Sequence, residues 1–151
     1  MQMQGLRDSN LHDKHRLNDA SHEKEKESDS IIDWLMTHAA FVSVGSKLLI
    51  KNDCDNYKLA KSSEDLILMI KALRSTFSAL KKNGHSITPS KNNFVYLPVC
   101  VLLPLFKKIL NAKIAEISMS WHCKSAPDEF IFLESELKRT VQFDQKESNT
   151  L

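Results

Sequence analysis

Few side chains in this sequence could do chemistry, and their spacing narrows the set further. His38 is the one titratable group within Thr37–Val44, an otherwise mostly apolar stretch. There it could hold a ligand or exchange a proton near neutral pH. The plainer reading is a core or interface histidine that finds a hydrogen-bond partner. Trp121-His122-Cys123 sets two metal-ligand types side by side. Adjacent helical residues diverge by about 100°, and two further ligands at zinc spacing are missing, so no metal site is assigned. His12, His15 and His22 sit in a polar segment with nothing to anchor them. Tyr57, preceded by Asp55 and Asn56, reads as a packed turn aromatic. No Ser/His/Asp or Cys/His arrangement follows from local spacing. The three glycines, Gly5, Gly45 and Gly84, are too far apart to form a G-x-G-x-x-G turn. A dinucleotide pyrophosphate needs that turn at a strand-to-helix junction, so no cofactor-binding residue is assigned either.

The elements that must position these groups read as helices. Residues 1–30 alternate charge and polarity, as in His22-Glu23-Lys24-Glu25-Lys26-Glu27, and bury too little apolar surface to order themselves. They are expected as a disordered or frayed helical tail. Ser30 with Asp33 resembles a capping box, followed by Ile31, Ile32, Leu35, Met36, Ala39 and Val42 at three-to-four spacing. A turn at Asp53–Asn56 leads to a short helical piece at Tyr57–Lys61. Ser62 to Asp65 repeats the capping pattern and opens the clearest helix. Its stripe is Leu66, Met69, Ile70, Leu73, Phe77 and Leu80, and Gly84 stops it. The opposite face, with Lys71, Arg74, Ser75, Ser78 and Lys82, is expected to be solvated.

Phe94–Phe106 is the longest apolar run. Pro98 suits a first helical turn there, and Pro104 is expected to bend or restart the helix. Helix then continues past Lys107 through Ile114, Ile117 and Met119. Ser125-Ala126-Pro127-Asp128 reads as a helix start, with Ser125 as cap and Phe130, Leu133, Leu137 and Val141 on the buried face. Only Phe94-Val95-Tyr96-Leu97 could serve as a strand. The fold expected is all-α: five or six helices in a domain over roughly residues 31–141, with a polar tail at 142–151.

Composition excludes several classes. A chain of 151 residues fits one domain, and a formal charge of +2 gives no case for nucleic acid. The apolar run is too short to span a bilayer, so no membrane partner is expected. No apolar leader is visible at the N-terminus. Cys54, Cys100 and Cys123 are odd in number and form no C-x-x-C pair, which suits a reducing compartment with Cys as a small hydrophobe. A cytoplasmic chain is expected.

Several motifs together resemble the C-terminal helical domain of the ketopantoate reductase (2-dehydropantoate 2-reductase) family, the domain type also found in 6-phosphogluconate dehydrogenase. Trp34-Leu35-Met36-Thr37-His38-Ala39-Ala40-Phe41-Val42 is similar to a W-L-x-T-H-A-A-F-V helix of a divergent branch. Asp55-Asn56-Tyr57-Lys58-Leu59-Ala60 follows as its D-N-Y-x-L-A turn, and Gly84 to Pro89 as G-x-x-I-T-P. The resemblance covers roughly residues 31–141. It implies a domain that closes over an NADPH-binding Rossmann half, supplies substrate-side groups and often a dimer contact, and helps reduce a 2-oxo acid. It puts forward His38 and Glu129 as catalytic, and Thr37, Asn56 and Tyr57 as substrate-binding. In the family a glutamate at the start of the last helix bonds a substrate hydroxyl; Glu129 matches it, although acids favour a first helical turn in any case.

The family's lysine and two asparagines in the first helix fall on Met36, Ala40 and Val44. Methionine donates no proton, and Ala and Val cannot bond a substrate. The implied function is therefore a substrate-side or dimerisation domain lacking its Rossmann half and inactive alone. NADPH is implied only for the full family, not for this chain. A homodimer, or a separate Rossmann-domain partner, is implied, with a small 2-oxo acid if the protein is active. The alternative is a non-catalytic helical interaction module.

Overall fold

The structure, a computed structural model, describes residues 5–140; for residues 5–26, 28, 127 and 140 it describes the backbone alone. The described residues are all-helical, with no strand. The order is α1 (Gly5–Lys51), α2 (Asn56–Lys61), α3 (Ser63–Lys82), a 3-10 helix (Ser90–Tyr96), α4 (Val99–Leu110) and α5 (Lys113–Ala115). A π-helical turn (Glu116–Ser120), α6 (Trp121–Ser125) and α7 (Pro127–Thr140) complete it. Val141 and the expected tail at 142–151 lie outside the described residues, as do the side chains of His12, His15 and His22.

The first helix does not begin at Ser30. It runs unbroken from Gly5, about 70 Å at the usual rise. The segment before Ser30 holds no proline or interior glycine after Gly5 and is rich in Glu and Lys, so nothing stops helix propagation there. Asp33 caps nothing: its carboxylate meets His85 Nδ1 at 3.0 Å, and its carbonyl accepts from Thr37 Oγ1. Ile31, Ile32, Trp34 and Leu35 are exposed, whereas Thr37, Ala40, Val44, Leu48 and Leu49 form the buried face further along.

Helix ends follow local chemistry. At the end of α1, Cys54 N–H reaches Leu49 O and Asp53 N–H reaches Ile50 O, with Asp53 left-handed at φ 60°. The Asp55 carboxylate then caps α2 by accepting from Tyr57 and Lys58 N–H. Ser62 Oγ accepts from Asp65 N–H at 3.2 Å and caps α3. All six expected stripe residues of α3 are buried, Leu66, Ile70, Phe77 and Leu80 completely. Gly84, at φ 85°, ends the helix as His85 N–H bonds Leu80 O.

α3 is the axis of the core. α1 lies along α3 and α7, and α4 lies across α2 and α3. The opposite face of α3 is not wholly solvated: Arg74 is half-buried and donates to the carbonyls of Val95 and Leu97, holding the 3-10 helix in place. That segment, the one strand candidate, is helical because it has no neighbouring strand to pair with. Pro98 precedes α4 as its cap residue, and α4 continues through Pro104. Pro104 has no N–H to donate to the Cys100 carbonyl one turn back, and both residues are exposed. Helix breaks at Asn111 and Ala112, and Ile114 and Ile117 point outward; Ala115, Ser120 and Cys123 are the buried positions beyond. Ser125 Oγ donates back to Trp121 O and His122 O, closing α6 rather than capping α7.

Two of the cysteines are not free. Cys54 and Cys123 form a disulfide across a sequence separation of 69, and exposed Cys100 is unpaired. A disulfide persists in oxidising surroundings, so cysteine usage gives no support to a reducing compartment. Among the described residues no single helix is long and apolar enough to cross a membrane; the apolar pair Ser90–Tyr96 and Val99–Leu110 is bent by 118°.

Candidate functional site

A cleft of about 640 Å³ opens between α1, α3, α4, the π-helical turn, α6 and α7. It falls within the ordinary size range of small-molecule sites. Its walls are built from positions that helical periodicity turns inward. Phe41 and Val42 come from α1, Met69 and Leu73 from α3, Phe106 from α4, and Phe130 and Leu133 from α7. Phe94 of the 3-10 helix joins them, stacked with Phe41 at 6.4 Å and tilted against Phe106 at 6.0 Å. Phe41 also meets Phe77 edge-on.

The polar groups are few. His38 is exposed on α1 and stacked on Trp34, with ring centroids 5.3 Å apart and planes 4° from parallel. It is not a core histidine, and among the described residues it has no hydrogen-bond partner; it lines the cleft. Glu129, in the first turn of α7, also lines it, and there its charge suits the helix dipole. Its Oε2 lies 3.2 Å from His122 Nε2, and the His122 ring meets Phe130 edge-on at 5.2 Å. His122 is thus set beside a carboxylate, and its neighbour Cys123 is taken up by the disulfide. Among the described residues, no group of three His, Cys, Asp or Glu could hold a metal ion.

The other three site candidates lie away from these walls. Thr37 is buried; its Oγ1 donates to Asp33 O at 2.8 Å and accepts from Thr88 N–H at 3.1 Å, tying α1 to the segment after α3. Asn56 is buried between α2, α4 and the π-helical turn. It donates from Nδ2 to Leu110 O at 2.7 Å, and its Oδ1 accepts from Ser120 Oγ at 2.7 Å. Tyr57 donates its hydroxyl to Glu116 Oε2 at 2.9 Å, and Lys113 reaches the same oxygen at 2.8 Å. The bond to Glu116 raises the Tyr57 pKa above its ordinary value, and Lys113 and then Tyr57 lower that of Glu116. All three therefore have structural partners.

The positions that resemblance assigns to a lysine and two asparagines are also clear. Met36 is half-buried against the core, Ala40 is fully buried and Val44 is 3% exposed. The His122–Glu129 contact is the feature that residue spacing did not expose. The seven-residue separation crosses the break between α6 and α7, where no helical period applies.

No protein-family model, curated protein or solved structure matches the chain.

Proposed function

We propose that this chain is a substrate-side helical domain of the ketopantoate-reductase-like kind: it lends a ligand cleft and an association surface to an NADPH-dependent oxidoreductase and reduces nothing by itself. The observation that carries the reading is that His38 of α1 and Glu129 of α7, far apart in sequence, stand on the walls of one cleft. Reduction of a 2-oxo acid needs a cation beside the developing oxyanion. Met36 stands where the resemblance expects that cation, and Ala40 and Val44 are core residues. The hydride and its cofactor would come from a separately folded Rossmann unit.

The test combines two readings on one sample. NADPH titration, followed by nicotinamide fluorescence and by turnover of 2-dehydropantoate, is expected to give neither binding nor oxidation. A fragment screen by two-dimensional NMR is expected to perturb the His38 and Glu129 amides together. Saturable NADPH binding with turnover would overturn the inactive-alone reading. Fragments that bind elsewhere, leaving both amides unmoved, would overturn the cleft.

A second reading, the non-catalytic interaction module, is favoured by the outer face of α4. Val101 and Leu105 are exposed one helical turn apart, and Ile109, a further turn along, is exposed at the edge where it also lines the cleft. Such a module would self-associate whether or not His38 and Glu129 were intact.

A further inference from the structure

The cleft has an electrostatic sign. Of all the residues that line it, Glu129 is the only Asp, Glu, Lys or Arg; the other ionisable side chains on its walls are His38 and His122. His122 occupies Oε2 of that carboxylate, and Oε1 has no protein partner among the described residues. Four phenylalanines, Phe41, Phe94, Phe106 and Phe130, also line it, with Phe41 stacked on Phe94 and Phe94 tilted against Phe106. Ring faces attract cations and repel anions, because the aromatic quadrupole is negative above the plane.

From this we infer that the cleft takes a small cationic molecule with an apolar body, an aralkyl or branched alkyl amine. Its ammonium group docks on Glu129 Oε1, and its body lies among Phe41, Phe94, Phe106 and Phe130. The Glu129 side chain is 55% exposed. The ammonium group therefore keeps part of its hydration at the rim, and only apolar surface is fully desolvated. An anion of the same shape would meet that carboxylate and find no Lys or Arg on the walls. The inference rests on the reading above only for the cleft as ligand site; it departs from that reading in the ligand, a cation where the resemblance implies a 2-oxo acid.

The experiment compares 2-phenylethylamine, 2-phenylethanol and phenylpyruvate by calorimetric titration of the full chain at neutral pH and low salt. The amine is expected to bind roughly threefold to tenfold tighter than the alcohol, the range of a partly exposed charge-assisted hydrogen bond. Phenylpyruvate is expected to bind weakest. Raising the salt should narrow the gap between amine and alcohol. In Glu129→Gln the amine should lose its advantage, with circular dichroism confirming that the helices persist. Equal binding of amine and alcohol would overturn the inference, since charge would then play no part. Tightest binding by phenylpyruvate would overturn it and leave the substrate-side reading standing. Saturation by none of the three would overturn it as well.

Discussion

Asn56 and Ser120 are bonded to each other twice. Asn56 N–H donates to Ser120 Oγ at 3.0 Å, and Ser120 Oγ donates to Asn56 Oδ1 at 2.7 Å. Both residues are buried, and the Cys54–Cys123 disulfide lies two residues before one and three after the other. The start of α2 is thereby locked to the π-helical turn that leads into α6 and the His122 rim of the cleft.

Replacing Asn56 should be costly without touching any ligand chemistry. Asn56→Leu would keep the backbone N–H bond to Ser120 Oγ. It would leave the buried Ser120 hydroxyl hydrogen without its acceptor and Leu110 O without its side-chain donor, at about 1–3 kcal/mol for each orphaned group. Urea denaturation should show a loss of roughly 2–5 kcal/mol on that scale. A loss under about 0.5 kcal/mol, within the range of an ordinary surface substitution, would show that the network carries no weight.

The disulfide should contribute separately. Closing a loop of this length stabilises by about 4 kcal/mol in the chain-entropy description. Cys54→Ser with Cys123→Ser is expected to lower the melting temperature markedly, and reduction of the parent protein should reproduce most of that shift. Equal melting curves with and without reductant would contradict a bond between these two residues.

Asp65 sets an acid limb. It is buried at the start of α3, where Lys51 donates to Oδ1 and Asn52 to Oδ2. The Lys51 bond first, and then the Asn52 bond, hold its carboxyl below the ordinary value of 3.8. A folded pKa below the unfolded one means the unfolded chain binds the proton more readily. The stabilisation is therefore complete above the unfolded pKa and is lost as pH falls through the lowered one. Asp65→Asn should flatten the acid side of a stability–pH profile, while stability near neutrality drops. A parallel profile would show that Asp65 does not couple to folding.

The exposed row on α4 should govern association if the chain self-assembles. Val101→Asp with Leu105→Asp places two charges on that row, which a buried interface would not tolerate. Sedimentation is expected to show a concentration-dependent dimer for the parent chain and monomers for the variant, with unfolding free energies within about 0.5 kcal/mol of each other. A dimer that survives both aspartates would place the interface elsewhere.

Much of the fold was legible because its signals are local. The α3 stripe, its Ser62 cap and its Gly84 stop are set by neighbours within one or two turns, and the structure keeps all three. The same local rules misplaced the start of α1. A cap residue cannot end a helix when the chain before it is itself helix-forming, so Ser30 lies mid-helix. They also misjudged Arg74, whose partners are the carbonyls of Val95 and Leu97 on another element.

The sequence by itself determined the all-helical character of the described residues, the turn chemistry at Asp53–Asp55 and the inward faces of α3 and α7, since periodicity and capping act over a few residues. Tertiary structure alone decided that His38 and Glu129 share a cleft and that His122 turns to Glu129. It also decided that Cys54 finds Cys123 and that Asn56 and Tyr57 are held by Ser120 and Glu116. Each of these pairings depends on how helices cross or follow one another across a break. That geometry is fixed by the packing of whole apolar faces, and no spacing along one helix encodes it.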